Sequence, residues 1–364
     1  MKPDMTIHFL PVSRIIRTAV ILAFPGTFCA CGTEDVLAEM DGAKDKCVIC
    51  LDFRCGDGFA TKVQEPAENR ISDINIFLFN DAGQLEEQAF IKGLNAVDGH
   101  MKWSSEWLEG TECRIYACAN FGFGIKGISS VGDIEKFRYH LAYPDEYSRG
   151  IPMSGKTSAI ISGKGQTVDI PLERLMSRIS IRIDRSKLDK DVKFNVRSVQ
   201  IKGAPRSVGV FGDSRASGSA DVFGSGFIRN MADADGLNID SGSGISREIN
   251  LYMLENMQGD LLPDITGERE MVLDTSDVLA SVCSHIELKA EYISGTYYSR
   301  PEEYLVYRFY LGEKPGNFDI RRNCCYSITV QPAGSGLDGV GWRVDRSGLE
   351  SYGGASESSG GTEE

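Results

Sequence analysis

The chain has 364 residues, 41% of them hydrophobic, with 39 basic against 52 acidic side chains and a formal net charge of −13. That length accommodates two domains, and the composition lies far from that of disordered chains. No basic stripe interrupts the acidic balance, which argues against a nucleic-acid partner and points to a solubilising surface charge.

The first thirty residues read as a targeting segment. Lys2, Arg14 and Arg17 give a positive region ahead of an apolar run from Thr18 to Phe28, too short to span a membrane in the mature protein. The run ends in Phe28-Cys29-Ala30-Cys31-Gly32, a lipobox-like arrangement with Phe28 where Leu is usual. Cutting after Ala30 leaves Cys31 first in the chain and carrying lipid, and the acidic Glu34-Asp35 behind it resembles the surface-export signal of Bacteroides-like lipoproteins. An ordinary secretory peptide cut after Ala30 is the alternative. No later segment reaches the roughly 18 apolar residues of a membrane span, so lipid is the expected membrane attachment.

Residues 31–45 are polar and read as a tether. Beyond them the chain breaks into short alternating runs. Cys47 to Phe53 predicts a first strand with Cys47, Ile49, Leu51 and Phe53 on one face. Ile71 to Asn80 predicts a second, turned by Asp81-Ala82-Gly83 into Gln84 to Ile91 as a hairpin. Glu112 to Asn120 reads as a strand. Val131 to Leu141 has helical spacing through Ile134, Phe137 and Leu141. Thr157 to Ser162 and Thr167 to Leu172 close a first block at residue 174. A second block holds Leu175 to Ile183, with Ser177, Ile179 and Ile181 alternating against Arg178, Ser180 and Arg182 as a one-sided strand. Lys193 to Lys202 follows, then a Gly/Ser/Asp-rich excursion over 203–245, then Glu248 to Leu254, Ser284 to Ile293, Glu303 to Leu311, Cys325 to Val330 and a short strand at Val340 to Val344. The last twenty residues predict a flexible tail. Strands separated by turns, without βα alternation, predict an all-β chain of two sandwiches, residues 46–174 and 175–344.

Motifs that could carry chemistry are weak. Gly150-Ile151-Pro152-Met153-Ser154-Gly155-Lys156-Thr157 matches the phosphate-loop pattern, but no buried strand precedes it, Pro152 removes an amide, and the β-branched residues that follow do not open a helix. Asp233-x-Asp235-Gly236 puts Met231 and Gly242 where a calcium loop needs carboxylates. Cys47 and Cys50 point to opposite faces of a strand, as do the adjacent Cys324 and Cys325, so neither pair serves one metal; the eight later cysteines read as small buried hydrophobes with room for a disulfide or two. Mature histidines are His100, His140 and His285, far apart, and no nucleophile elbow occurs. The chain reads as a non-enzyme without cofactor or metal. Tyr292, Tyr297 and Tyr298 form a possible aromatic cluster for glycan, or equally sheet residues.

Six segments, in order, resemble the fimbrillin family of Bacteroides-type (type V) pilus subunits: Ile71 to Gly83, Tyr116 to Gly122, Ile151 to Gly155, Val168 to Ile179, Tyr252 to Gly259, and Tyr310-Leu311-Gly312 with Phe318 to Tyr326. The resemblance implies two transthyretin-like β-sandwiches, the first with one short helix, in a lipoprotein of the cell outer membrane that joins a fimbrium. It also implies assembly with other fimbrial subunits by strand exchange: an Arg-specific cut releases the first strand, and a strand from a neighbour fills the groove left behind. Here Arg54 is the preferred cut, Arg70 the alternative, and Cys47, Ile49, Leu51 and Phe53 mark the strand to be exchanged. Val340, Trp342 and Val344 mark a candidate donor strand, short for that task. Host or bacterial surface receptors are further candidate partners, and a surface lipoprotein that binds glycan or host protein is the alternative reading.

Overall fold

A computed structural model describes residues 46–56, 66–142, 149–212, 214–225, 244–267, 270–274, 276–293, 304–334 and 341–347. Cys31, Val340, Tyr297, Tyr298, Asp233 and Asp235 lie outside them. Nineteen strands, three short α-helices and one 3-10 turn at Ser219–Asp221 make the described chain all-β. None of its helices is long and apolar enough to cross a membrane.

Seven strands before residue 175 form one sheet. They are β1 (Lys46–Cys55), β2 (Ile71–Phe79), β3 (Leu85–Ala96), β4 (His100–Leu108), β5 (Glu112–Ala119), β7 (Met153–Ile160) and β8 (Thr167–Arg174), in the spatial order β3-β2-β5-β7-β8-β1-β4. All seven send apolar side chains into one core, so the sheet curls until its two edge strands, β3 and β4, face each other across it. At the mouth of this curl the Ser105 hydroxyl on β4 donates to Glu87 Oε2 on β3 at 2.5 Å. Gly99 makes the tight β3–β4 turn, with φ +71°. A β-carbon there would lie 2.8 Å from Cys55 Cβ and 3.0 Å from Asn69 O, so both the conformation and the space require glycine.

The sequence reading misses β4 altogether, although Met101, Trp103, Ser105 and Trp107 alternate along it. The expected second strand is present but two-sided: every residue of β2 except Ser72 is buried. Ile74, Ile76 and Leu78 face the curled core, while Phe77 and Phe79 face a second cluster with Tyr116, Ile134, Met176, Tyr252 and Leu254. The expected helix over 131–141 is shorter, α2 (Val131–Glu135). A capping box between Ser130 and Asp133 starts it, and the chain leaves it for strand β6 (Arg138–His140), which pairs with β12 (Ser207–Gly209). Two further short helices, α1 (Pro66–Asn69) and α3 (Val278–Val282), are not foreseen by the sequence.

After residue 175 the strands form two four-stranded sheets over a common core of Ile179, Ile181, Val196, Val199, Ile286, Leu288, Ile328 and others. One has β9 (Met176–Ile183), β14 (Ile249–Leu254), β17 (Cys325–Gln331) and β19 (Gly341–Ser347) in the order β14-β9-β17-β19. The other has β11 (Lys193–Pro205), β13 (Val222–Ser225), β15 (His285–Ile293) and β16 (Tyr304–Tyr310) in the order β13-β11-β15-β16. Short strands β10 (Lys187–Leu188) and β18 (Ala333–Gly334) pair separately. The excursion expected over 203–245 is thus interrupted by the end of β11 and by β12 and β13, and β19 continues to Ser347, into the segment read as tail.

The phosphate-loop pattern falls on β7, which runs straight through Ser154-Gly155-Lys156-Thr157 with no helix after it. Gly155 has another purpose: a β-carbon there would lie 2.2 Å from Pro171 O of β8. The eight cysteines from Cys47 to Cys325 are free, with Cys47 buried and Cys50 half-buried on opposite faces of β1.

Candidate functional site

Strand β1 shows the alternation its sequence predicts. Ile49, Leu51 and Phe53 are fully buried and Cys47 nearly so, all in the curled core. Burying each large apolar side chain contributes roughly 1.5–3 kcal/mol. The strand is not at a sheet edge. It pairs antiparallel with β4 from Lys46↔Leu108 to Arg54↔His100, and parallel with β8 from Cys50↔Thr167 to Cys55↔Leu172. Its sequence neighbour β2 lies four places away. Removal of β1 opens a two-sided slot lined with unpaired main-chain groups, not a bare edge.

The outer face of β1 carries charge. The Asp52 side chain is only 1% exposed, and its carboxylate accepts from Arg54 Nη2 at 2.8 Å. His100 Nε2 lies 2.5 Å from Asp52 Oδ1, and Lys102 Nζ 3.9 Å from Oδ2. Burial raises the Asp52 carboxyl, but the Arg54 hydrogen bond and the charges of His100, Arg54 and Lys102 outweigh it and hold the group below its ordinary range. Arg54 also reaches Asp169 on β8 at 3.5 Å. Arg54 therefore does not follow the strand, as the sequence suggests; it sits inside it. The strand runs on to Cys55, whose N–H donates to Gly99 O at 2.8 Å. The Arg54 side chain remains 57% exposed.

Arg70 stands immediately before β2, half-buried. Its carbonyl accepts from Asn120 Nδ2 at 2.7 Å, and Asn120 Oδ1 accepts the Ser72 N–H at 2.8 Å. Asn120 holds φ +64°, in the left-handed region, to make these bonds.

Two buried arginines organise the chain between β1 and β2. Arg174, at the end of β8, donates from Nη1 to Gly56 O at 3.1 Å, from Nε to Glu68 O at 2.9 Å and from Nη2 to Asn69 Oδ1 at 2.5 Å. It thereby grips both stems of the β1–β2 connection. Arg178, on β9, pairs with Glu68 at 3.0 Å, and Tyr252 on β14 donates to the same carboxylate at 2.7 Å. Arg178 Nη2 also lies 3.4 Å from Cys325 Sγ on β17. Burial lowers Arg174, whereas for Arg178 the Cys325 and Glu68 contacts overcome burial and raise it. The expected one-sided strand at Leu175 to Ile183 is corrected here: Arg178 and Ser180 are buried, because α1 brings Glu68 onto the face that alternation assigns to solvent, and Cys325 of the neighbouring β17 flanks both side chains there. No sequence signal singles out Glu68.

Trp342 and Val344 lie on β19, which among the described residues is an edge strand paired only with β17, with Val330↔Trp342 and Ile328↔Val344 in register. The structure thus places β1, the strand expected to be exchanged, and the candidate donor in different sheets. Among the described residues no group of three His, Cys, Asp or Glu side chains could hold a metal ion.

A family model described as a domain of unknown function, DUF4906, matches residues 251–330. No curated protein sequence matches the chain. The tip fimbrial protein Mfa3 from Porphyromonas gingivalis, with a C-terminal truncation, is similar in structure, with a TM-score of 0.56 at 11% identity over 84% of this chain and 100% of that one. A candidate cell adhesion protein from Bacteroides eggerthii gives 0.56 at 12% identity over 84% and 96%. Another from Parabacteroides distasonis gives 0.54 at 14% over 84% and 99%. The chain shares the all-β fold of these proteins, the fold its motifs imply.

Proposed function

We propose that the chain is a subunit of a cell-surface fimbria, exported as a lipoprotein through Cys31 to the outer membrane and joined to other subunits by exchange of β1. The reading includes a signal peptide at 1–30, a tether at 31–45 and two sandwich domains meeting at residues 174 and 175. The likeness to a tip fimbrial protein over most of both chains supports it. The observation that carries it is the position of β1. The strand supplies four buried side chains to its core and pairs on both sides, yet one connection joins it to the six strands that follow in its sheet. Cutting that connection leaves a slot with an apolar floor and two unpaired ladders, and an extended strand from another molecule satisfies both.

Arg54 is the proposed cut because its side chain is exposed, but its peptide bond lies in the ladder, so the end of β1 opens before cleavage. In a donor role β19 has a single ladder to give up. The test is to treat the purified full chain with an Arg-specific protease and run it unboiled on a gel. Loss of the segment before Cys55 together with new ladders of oligomers supports the reading. A cut chain that stays monomeric overturns it.

A further inference from the structure

The apolar face of β1 tells little about which strand replaces it, because alternating apolar residues are common to strands. Its outer face is more particular. Cys47, Ile49, Leu51 and Phe53 fill the core, so Val48, Cys50, Asp52 and Arg54 point outward. On β4 the residue opposite Asp52 is Lys102, and the residue opposite Arg54 is His100. On β8 the residue opposite Asp52 is Asp169. Although it points outward, the Asp52 side chain is 1% exposed, covered by the groups that contact it. His100 Nε2 lies 2.5 Å from Oδ1, and Arg54 Nη2 2.8 Å and Lys102 Nζ 3.9 Å from Oδ2. Among the described residues no other ion pair reaches His100 or Lys102. Release of β1 takes Asp52 and Arg54 away together. It leaves two cationic side chains on the β4 wall without a counter-charge. The one carboxylate on the far wall, Asp169, stands two strand spacings away, about 10 Å, and is 69% exposed.

We infer that the seat vacated by β1 selects its guest by charge: it takes an extended segment of another subunit that carries Asp or Glu at the place of Asp52, facing His100 and Lys102. The inference rests on the strand-exchange reading and adds to it which strands fit. The apolar places supply affinity, and the two ladders hold any extended main chain. The acidic place supplies discrimination. A neutral residue there forgoes the charge-assisted contacts, and a basic one sets a third cation beside two others. Position matters as well as charge. Four residues earlier, the place of Val48 lies opposite Glu106 of β4, so an acid shifted there meets a like charge. His100 and Lys102 are therefore specificity-determining residues of the slot.

The test nicks the purified full chain at Arg54 with an Arg-specific protease. A fluorescently labelled peptide of segment 46–54, capped at both ends, is exchanged in under reducing conditions and then displaced by unlabelled peptides. The parent peptide is expected to displace it at the lowest concentration. Asp52→Asn needs about fivefold more, the scale of ion pairs whose partners reach solvent. Asp52→Lys needs at least about tenfold more. Val48→Asp/Asp52→Val, with the same composition and net charge as the parent peptide, also needs at least about tenfold more. In a His100→Gln/Lys102→Gln chain the gap between the parent and Asp52→Asn peptides closes. Near-ultraviolet circular dichroism checks that variant. If it departs from the parent spectrum, Lys102→Gln alone is read for a narrowed gap, because Lys102 is 59% exposed. Equal displacement by all four peptides, or a gap unchanged in the variant chain, overturns the inference and leaves strand exchange standing. Failure of every peptide to enter the nicked chain overturns both.

Discussion

Arg178 and Glu68, 110 positions apart in the sequence, meet with Nη1 3.0 Å from Oε1 and both side chains closed to solvent. The pair joins the segment that follows β1 to the first strand of the second block. Removing one partner leaves a buried charge, which typically costs about 3–5 kcal/mol, whereas replacing both by apolar groups of similar volume is far less harmful. Glu68→Gln is therefore expected to lower the urea midpoint sharply, and Glu68→Leu/Arg178→Met to recover much of the loss. Equal destabilisation by the single and double changes would show that the pair is not the source.

The outer face of β1 predicts a pH dependence. The Asp52 carboxyl titrates below its unfolded value, so its contribution is present above the ordinary carboxylate range and is lost as pH falls through the folded value. Its partners Arg54, His100 and Lys102 are more than a third exposed, so solvent screening keeps the effect to about 1 kcal/mol. Urea unfolding between about pH 6 and 3 is the measurement. Asp52→Asn is expected to be less stable than the parent at the upper end and to converge with it at the lower. A constant gap across the range contradicts this.

The two faces of β1 differ in what a truncation does. Leu51→Ala opens a cavity in the curled core and is expected to cost about 2–5 kcal/mol, read as a lower urea midpoint. Val48, 51% exposed, should change stability by no more than about 0.5 kcal/mol when replaced by Ala. Comparable losses at both positions would mean that the strand is not seated as described.

Arg54 and Arg70 are distinguishable as protease sites. The Arg54 side chain projects into solvent, whereas the Arg70 carbonyl is held by Asn120. Arg54→Ala is expected to slow release of β1 by an Arg-specific protease at least about tenfold, and Arg70→Ala to leave it nearly unchanged, because cleavage follows the population of the open form. Mass spectrometry of the released fragment checks both. A fragment ending at Arg70 reverses the assignment.

Much of this was legible in the sequence, for identifiable reasons. Cys47, Ile49, Leu51 and Phe53 alternate without interruption, and period two reports one buried face directly. Phe77 and Phe79 alternate just as clearly, but alternation cannot say that a second core covers the other face. Arg178 and Ser180 fail in the same way: a polar residue at every second position means solvent unless a buried carboxylate waits opposite, and Glu68 lies too far along the chain to be matched to it. Strand β4 escaped because Ser104, Ser105 and Glu106 dilute the pattern that Met101, Trp103 and Trp107 carry. That omission hid the antiparallel neighbour of β1.

The mixed pairing of β1 gives its seat a direction. One wall, β8, runs the same way as the strand, and the other, β4, runs against it. A guest that keeps both ladders can lie only one way round. Under the proposed strand exchange, two copies that each lend a strand from one surface to the slot of the next would meet through unlike patches, a contact without a two-fold axis. Repetition of such a contact would build an open row with distinguishable ends.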